Sequence, residues 1–128
     1  MDEGAMSASA PTVLIVDDHA GFRHSATVLL SSGGLEVVGT ASDGGAALEL
    51  AEELEPAVVL LDVRLPDMTG FDVADGLARL PAPPAVVLTS SLDASEVEPR
   101  ADPRTVRAFI PKSSLSAQRL REVLGLSR

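Results

Sequence analysis

Five polar residues stand directly behind apolar runs, and together they form a set that could transfer a phosphoryl group. Asp17 and Asp18 follow Thr12-Val13-Leu14-Ile15-Val16, and Asp62 follows Val58-Val59-Leu60-Leu61. Thr89 follows Ala85-Val86-Val87-Leu88, and Lys112 follows the segment Val106 to Pro111. Three carboxylates brought together repel, and each raises the pKa of the others unless a cation joins them. A small set of hard oxygen donors suits Mg2+, which keeps several waters and takes phosphate oxygens as further ligands. A carboxylate beside Mg2+ and facing a lysine can attack phosphorus. The metal and the ammonium would hold charge on the equatorial oxygens, and a threonine hydroxyl could bond one of them. The expectation is an aspartyl phosphate on Asp62.

Each residue also has a plainer reading. Asp17-Asp18 alone makes a solvated turn, Asp62 a loop cap, Thr89 a strand-end hydroxyl, and Phe109 a packed core ring. Lys112 resists the plain reading of a surface charge. Nine of the ten basic residues are arginine and Lys112 is the only lysine. A planar guanidinium does not replace a compact ammonium reaching one oxygen. His19 and His24 are expected on exposed helix positions, and two histidines without a third ligand make no zinc site.

The chemistry needs a scaffold that brings four strand ends to one rim. Short continuous apolar runs ahead of turn residues read as strands buried on both faces of a parallel sheet. A helix is expected from about His19 to Ser32, with Phe22, Ala26, Leu29 and Leu30 as its apolar stripe and Gly33-Gly34 at its end. Leu35 to Thr40 reads as an edge strand of mixed polarity. Ser42 or Asp43 can cap a helix from about Gly45 to Glu55, with Ala47, Ala51 and Leu54 inward and Pro56 as its stop. A third helix, near Phe71 to Leu80, carries Val73, Ala74, Leu77 and Leu80 on one side. Pro99 and Pro103 interrupt Leu92 to Thr105, so a fourth helix should be short or disrupted, about Ala94 to Glu98. Pro111 lacks an N–H and fits an edge strand. Ser113 or Ser114 can cap a last helix to about Gly125, with Leu120, Val123 and Leu124 inward.

Strands alternating with helices imply an α/β fold: a flavodoxin-like, doubly wound, five-stranded parallel sheet of order 2-1-3-4-5 with helices on both faces. In that order the strands ending in Asp17-Asp18, Asp62, Thr89 and Lys112 are contiguous. Their carboxyl ends then share one rim, near the switch point between strands one and three.

The 128 residues suit one domain, expected over 12–125, behind a small, acidic leader at 1–11 read as disordered. That leader lacks the positive flank and apolar centre of a signal peptide. The chain has no cysteine, which excludes disulfides and thiolate metal sites and makes a cytoplasmic address the default. No apolar run approaches a membrane span. A formal net charge of −9 disfavours direct binding to nucleic acid, where affinity comes largely from Lys and Arg on phosphates.

Four segments carry a resemblance: Val13-Leu14-Ile15-Val16-Asp17-Asp18-His19, Leu61-Asp62-Val63-Arg64-Leu65-Pro66-Asp67-Met68-Thr69-Gly70-Phe71, Val87-Leu88-Thr89-Ser90 and Phe109-Ile110-Pro111-Lys112-Ser113. In this order and spacing they resemble the receiver domain of bacterial response regulators, from about Thr12 to Leu124. The start around His19 is similar to receivers of the NarL/LuxR type, whose regulators carry a helix-turn-helix output domain. The resemblance implies that Asp62 accepts phosphate from a sensor histidine kinase. It implies direct Mg2+ ligation by Asp18, Asp62 and the backbone carbonyl of Arg64, with Asp17 acting through water. Lys112 would hold a phosphoryl oxygen, and Thr89 and Phe109 would form the switch pair. No enzymatic activity beyond autocatalytic phosphotransfer and dephosphorylation is implied. Partners would be the kinase and an output partner, an attached DNA-binding domain, or a second copy forming a homodimer, with the surface around helix four, strand five and helix five as the usual docking face. The family commonly has proline after the lysine with a cis bond before it; here Ser113 follows and Pro111 precedes.

Two other functions compete. A phosphatase working through an aspartyl phosphate, of the haloacid-dehalogenase type, needs a second aspartate two residues after the nucleophile, where this chain has Arg64. A receiver fold could also act as an interaction module without phosphorylation. No phosphate-binding G-x-x-x-x-G-K-[ST], no G-x-G-x-x-G and no G-x-S-x-G is present.

Overall fold

The computed structural model describes residues 10–91 and 101–126. Five parallel strands form one sheet in the order β2-β1-β3-β4-β5, with β1 at Thr12–Val16, β2 at Glu36–Ala41, β3 at Val58–Asp62, β4 at Ala85–Ser90 and β5 at Ala108–Pro111. The helices are α1 (Ala20–Ser32), α2 (Gly44–Leu54), α3 (Gly70–Leu77) and the C-terminal α4 (Ala117–Val123), which follows a single 3-10 turn at Lys112–Ser114.

The apolar runs are continuous because both faces of the sheet are covered. Successive strand residues point to opposite faces, so each run is divided between two cores. Val13, Ile15, Val58, Leu60, Val87 and Ile110 pack with Ala26 and Leu30 of α1 and Ala117 and Leu120 of α4. Leu14, Val16, Val59, Leu61, Val86 and Leu88 pack with Ala47 and Ala51 of α2 and Val73, Ala74 and Leu77 of α3. Every residue of β3 is buried. At ~1.5–3 kcal/mol per buried large apolar side chain, this central strand fixes the register of its neighbours. Val16 pairs with Leu61, Asp62 with Thr89, and Ser90 with Pro111. Asp17 and Asp62 therefore leave the sheet at one level, beside Thr89, with Lys112 one residue past the last β4–β5 pair.

Local differences from the sequence expectations follow from where the helices meet the sheet. His19 is the N-cap of α1 rather than its first residue. Leu29 is 43% exposed and Leu54 38% exposed, so the inward stripes narrow to Ala26 and Leu30, with Phe22 packed beside them, on α1 and to Ala47 and Ala51 on α2. Asp43, not Ser42, caps α2 by accepting from Ala46 N–H. Helix α3 stops at Leu77, and Leu80 reaches the core from the turn beyond it. Strand β5 begins at Ala108 rather than Val106, and its edge position accommodates Pro111. Ser116 caps α4, because Ser113 and Ser114 belong to the 3-10 turn. The helix expected at Ala94 to Glu98 lies outside the described residues, as does most of the 1–11 leader. Pro103 to Thr105 form a turn. Pro11 O accepts from Glu36 N–H at 3.0 Å, tying the chain to β2 just ahead of β1. No cis peptide occurs among the described residues, so the Lys112–Ser113 bond is trans. None of their helices is long and apolar enough to cross a membrane.

Candidate functional site

The rim formed by the ends of β1, β3, β4 and β5 is a cleft of about 250 Å³ lined by Asp18, His19, Asp62, Arg64, Ser90 and Lys112, among others. Asp17 lies beneath it, fully buried. Its backbone is fixed from two sides: Asp17 N–H donates to Ala41 O at 3.0 Å, and the Arg23 guanidinium of α1 donates to Asp17 O at 2.7 Å. Oδ1 accepts from His19 N–H at 2.8 Å. Oδ2 lies 2.7 Å from Lys112 Nζ. That contact is an ion pair rather than an aligned hydrogen bond, since Oδ2 has no partner in hydrogen-bond geometry among the described residues.

Lys112 Nζ also lies 3.3 Å from Asp62 Oδ2, while Asp62 Oδ1 accepts from Arg64 N–H at 3.3 Å. The sequence-expected set is thus assembled: Asp17, Asp62 and Lys112 touch, Thr89 pairs with Asp62 across β3–β4, and Asp18 and Arg64 line the same cleft. The Thr89 hydroxyl is buried and has no hydrogen-bond partner among the described residues. Phe109 pairs with Leu88, one position before Thr89, and its half-buried ring packs against the α2–α3 core.

The charges are uneven. Burial would raise the Asp17 carboxyl, but the Lys112 ammonium and the His19 N–H outweigh it and hold Asp17 below the usual carboxylate range. Burial, and then the Asp17 charge, push Asp62 up, with the Arg64 N–H and Lys112 offsetting part of that. Burial opposes the Lys112 charge, yet the two carboxylates hold its pKa above the ordinary lysine value. Of the two carboxylates facing Lys112, Asp62 is therefore the more readily protonated.

Asp17, Asp18, His19 and Asp62 each offer a ligand atom within 4.8 Å of the others. The three carboxylates fit a hard divalent cation, since they offer oxygen donors within 4.8 Å of one another.

Three contributors escaped the sequence reading. His19 is exposed as expected, but its Nδ1 lies 3.1 Å from both Asp17 Oδ1 and Asp18 Oδ1. Phe22 of α1 places its ring 4.6 Å from Lys112 Nζ. Asp67 ties the β3–α3 loop to the start of α2, accepting from Gly44 N–H at 2.8 Å and Gly45 N–H at 2.9 Å. The same loop is closed by Gly70 N–H donating to Val63 O at 2.7 Å and by the Thr69–Asp72 capping box on α3. A side chain at Gly70 would put its Cβ 2.5 Å from Asp62 O, so the loop that carries the site requires glycine there.

An all-parallel 2-1-3-4-5 sheet with an acidic pair, a central aspartate, a strand-end hydroxyl and a lysine on its carboxyl rim marks a class of signalling domain, and comparison with known proteins agrees. Residues 13–124 match the response regulator receiver domain. The chain is 36% identical over 123 residues to "Transcriptional regulatory protein PdtaR" of Mycobacterium tuberculosis, covering 89% of this chain and 60% of that protein. It is 37% identical over 117 residues to "Probable transcriptional regulatory protein NarL" of the same organism, covering 91% of this chain and 54% of that protein. The solved signal receiver domain of a Mycobacterium tuberculosis NarL response regulator superposes with a TM-score of 0.82 at 36% identity, covering 92% of this chain and 96% of that one. The chain belongs to the response regulator receiver domains. It spans 54–60% of the length of the two curated relatives.

Proposed function

We propose that this receiver accepts a phosphoryl group on Asp62 from the phosphohistidine of a sensor kinase and transmits the modification through Thr89 and Phe109. The observation that carries the reading is the buried Asp62 carboxylate, set between the Lys112 ammonium at 3.3 Å and its β4 neighbour Thr89, whose hydroxyl has no hydrogen-bond partner among the described residues. An Asp62 oxygen forms the new P–O bond while the P–N bond to the kinase imidazole breaks and its electron pair leaves with the ring. Lys112 then exchanges a carboxylate contact for a phosphoryl oxygen. Asp18 and Asp62, with the carbonyl of Arg64, would hold Mg2+, and Asp17 would act through water. When bound, Mg2+ supplies positive charge against the incoming phosphoryl oxygens.

In the switch, the Thr89 hydroxyl gains in the phosphoryl group an acceptor that the described residues do not offer it. Its movement frees space beside β5 for the Phe109 ring to turn inward. A cytoplasmic address, control of an attached or separate transcriptional output, and homodimerisation on phosphorylation complete the proposal. The transcriptional regulators similar to this chain, and its charge of −9, favour an output in which the receiver itself does not touch nucleic acid.

Incubating the protein with a small phosphodonor and Mg2+ and then weighing it intact tests the reading. One added phosphoryl group, absent from Asp62→Ala, is expected. No gain, or a gain that survives Asp62→Ala, overturns it.

A further inference from the structure

Lys112 is the chain's only lysine, and the chain has three phenylalanines and no tyrosine or tryptophan. One of those rings, Phe22 in the first turn of α1, lies 4.6 Å from Lys112 Nζ. The ammonium is mostly buried, with a side-chain exposure of 19%, and is bounded by Asp17 at 2.7 Å, Asp62 at 3.3 Å and this ring. The ring's neighbour Arg23 fixes the Asp17 carbonyl, so the first turn of α1 grips the site at two points.

We infer that Phe22 is a positioning residue for Lys112, holding the ammonium at the cleft through its ring face while the carboxylate partners change. The inference rests on the phosphoacceptor reading above. Before phosphorylation the two carboxylates hold Lys112 by charge. When a divalent cation occupies the carboxylates ahead of the phosphoryl group, those ion pairs weaken, and until a phosphoryl oxygen replaces them the long lysine stem is free to swing into solvent. A ring face attracts a cation electrostatically, more strongly where water is excluded. It does so without a charge that would compete with the phosphoryl oxygens, and without a hydrogen bond that must break when Nζ moves. An aliphatic residue of similar size would fill the space but offer no such attraction. The ring also ties the position of α1 to the position of the ammonium, so the helix that carries Phe22 senses which partner Lys112 holds.

The single lysine makes the contact directly observable. In protein labelled at lysine, one set of side-chain resonances reports Lys112, and a ring at this distance shifts its ε protons upfield. The expected result is an upfield shift in the wild type that is lost in Phe22→Leu and kept in Phe22→Tyr, with unchanged circular dichroism. With a small phosphodonor and Mg2+, Phe22→Leu should be phosphorylated about threefold to tenfold more slowly, as loss of a partly desolvated cation–π contact implies. Phe22→Tyr should run close to wild type. Wild-type resonances without the shift, or a shift that persists in Phe22→Leu, overturn the contact. Equal phosphorylation rates for Phe22→Leu and wild type overturn the positioning role and leave the phosphoacceptor reading standing. A wild-type protein that gains no phosphoryl group overturns both, and that failure is recognised by its independence of residue 22.

Discussion

On the β1–β3 side of the cleft the polar groups are tied down, whereas on β4 the Thr89 hydroxyl is not, among the described residues. Asp17 is held by Ala41, His19, Arg23 and Lys112, and the loop after Asp62 is pinned by Asp67 on α2, by Gly70 on Val63 and by a capping box on α3. Across the cleft the Thr89 hydroxyl is buried without a partner among the described residues, and β5 is a four-residue edge strand followed by a single 3-10 turn. A buried unpaired hydroxyl costs about 1–3 kcal/mol relative to a bonded one. Asp17 Oδ2 also lacks an aligned hydrogen bond, but the Lys112 ammonium at 2.7 Å compensates it, so the uncompensated group is Thr89. One side fixes the acceptor, and the other is poised to move when a new acceptor for its hydroxyl arrives.

The sharpest break of this division is at the fixed side. Asp62→Asn keeps the shape of the acceptor and should abolish phosphorylation, read as intact mass after treatment with a phosphodonor and Mg2+. It should also stabilise the protein. The folded-state pKa of Asp62 lies above that of the unfolded chain, so its contribution is fully present below the unfolded value and is lost as pH rises through the folded one. At neutral pH the carboxylate is a burden that Asn removes, and thermal melting should show a higher Tm.

Lys112→Met is next in size. It leaves the Asp17 and Asp62 charges facing each other in a buried setting. Breaking a fully buried pair costs ~3–5 kcal/mol, and the partial exposure of Lys112 reduces this to about 2 kcal/mol. Urea unfolding should show the loss, and Mg2+ should restore part of it by replacing the missing positive charge.

How much of this was legible in the sequence depends on the range of the interaction. The strands were legible because burial on both faces of a parallel sheet leaves continuous apolar runs, and the rim because each run ends in a group with chemistry. Once strand order follows from alternation with helices, Asp17, Asp62, Thr89 and Lys112 must converge. The outward turn of Leu29 and Leu54 was not legible, since periodicity gives a helix's apolar arc but not how much of it the sheet covers. Nor were the roles of Asp67 and Phe22. Each acts on a residue far along the chain through a contact that no local spacing encodes. The short helix expected at Ala94 to Glu98, ahead of Pro99, falls outside the described residues.

On the loose side, Thr89→Val replaces the unpartnered hydroxyl with a methyl of similar size. It should stabilise the unphosphorylated protein by about 1 kcal/mol, because an unsatisfied polar group is removed from the core. The same change should leave phosphorylation of Asp62 largely intact while abolishing any change in oligomeric size that phosphorylation produces. If the Thr89→Val protein were instead destabilised, the hydroxyl would have a partner and the two sides would not differ as described. Chemical denaturation followed by size-exclusion of phosphorylated protein separates these outcomes.

The smallest effect tests whether the fixed side is fixed by Asp67. Its carboxylate accepts from the Gly44 and Gly45 amides, the first N–H groups of α2, and those two bonds hold its pKa below the usual range. A depressed pKa means a contribution present above the unfolded carboxylate value and lost as pH falls through the folded one. Asp67→Asn keeps one acceptor oxygen and removes the charge that complements the positive end of α2. Its Tm should fall slightly below wild type at neutral pH, and the difference should vanish in acid once wild-type Asp67 is protonated. Amide exchange at Gly44 and Gly45 should accelerate in the variant, while exchange in β4, on the other side of the cleft, should not. Faster exchange on both sides would mean that the loop after Asp62 and the Thr89 strand move as one body, with no division between the two sides of the cleft.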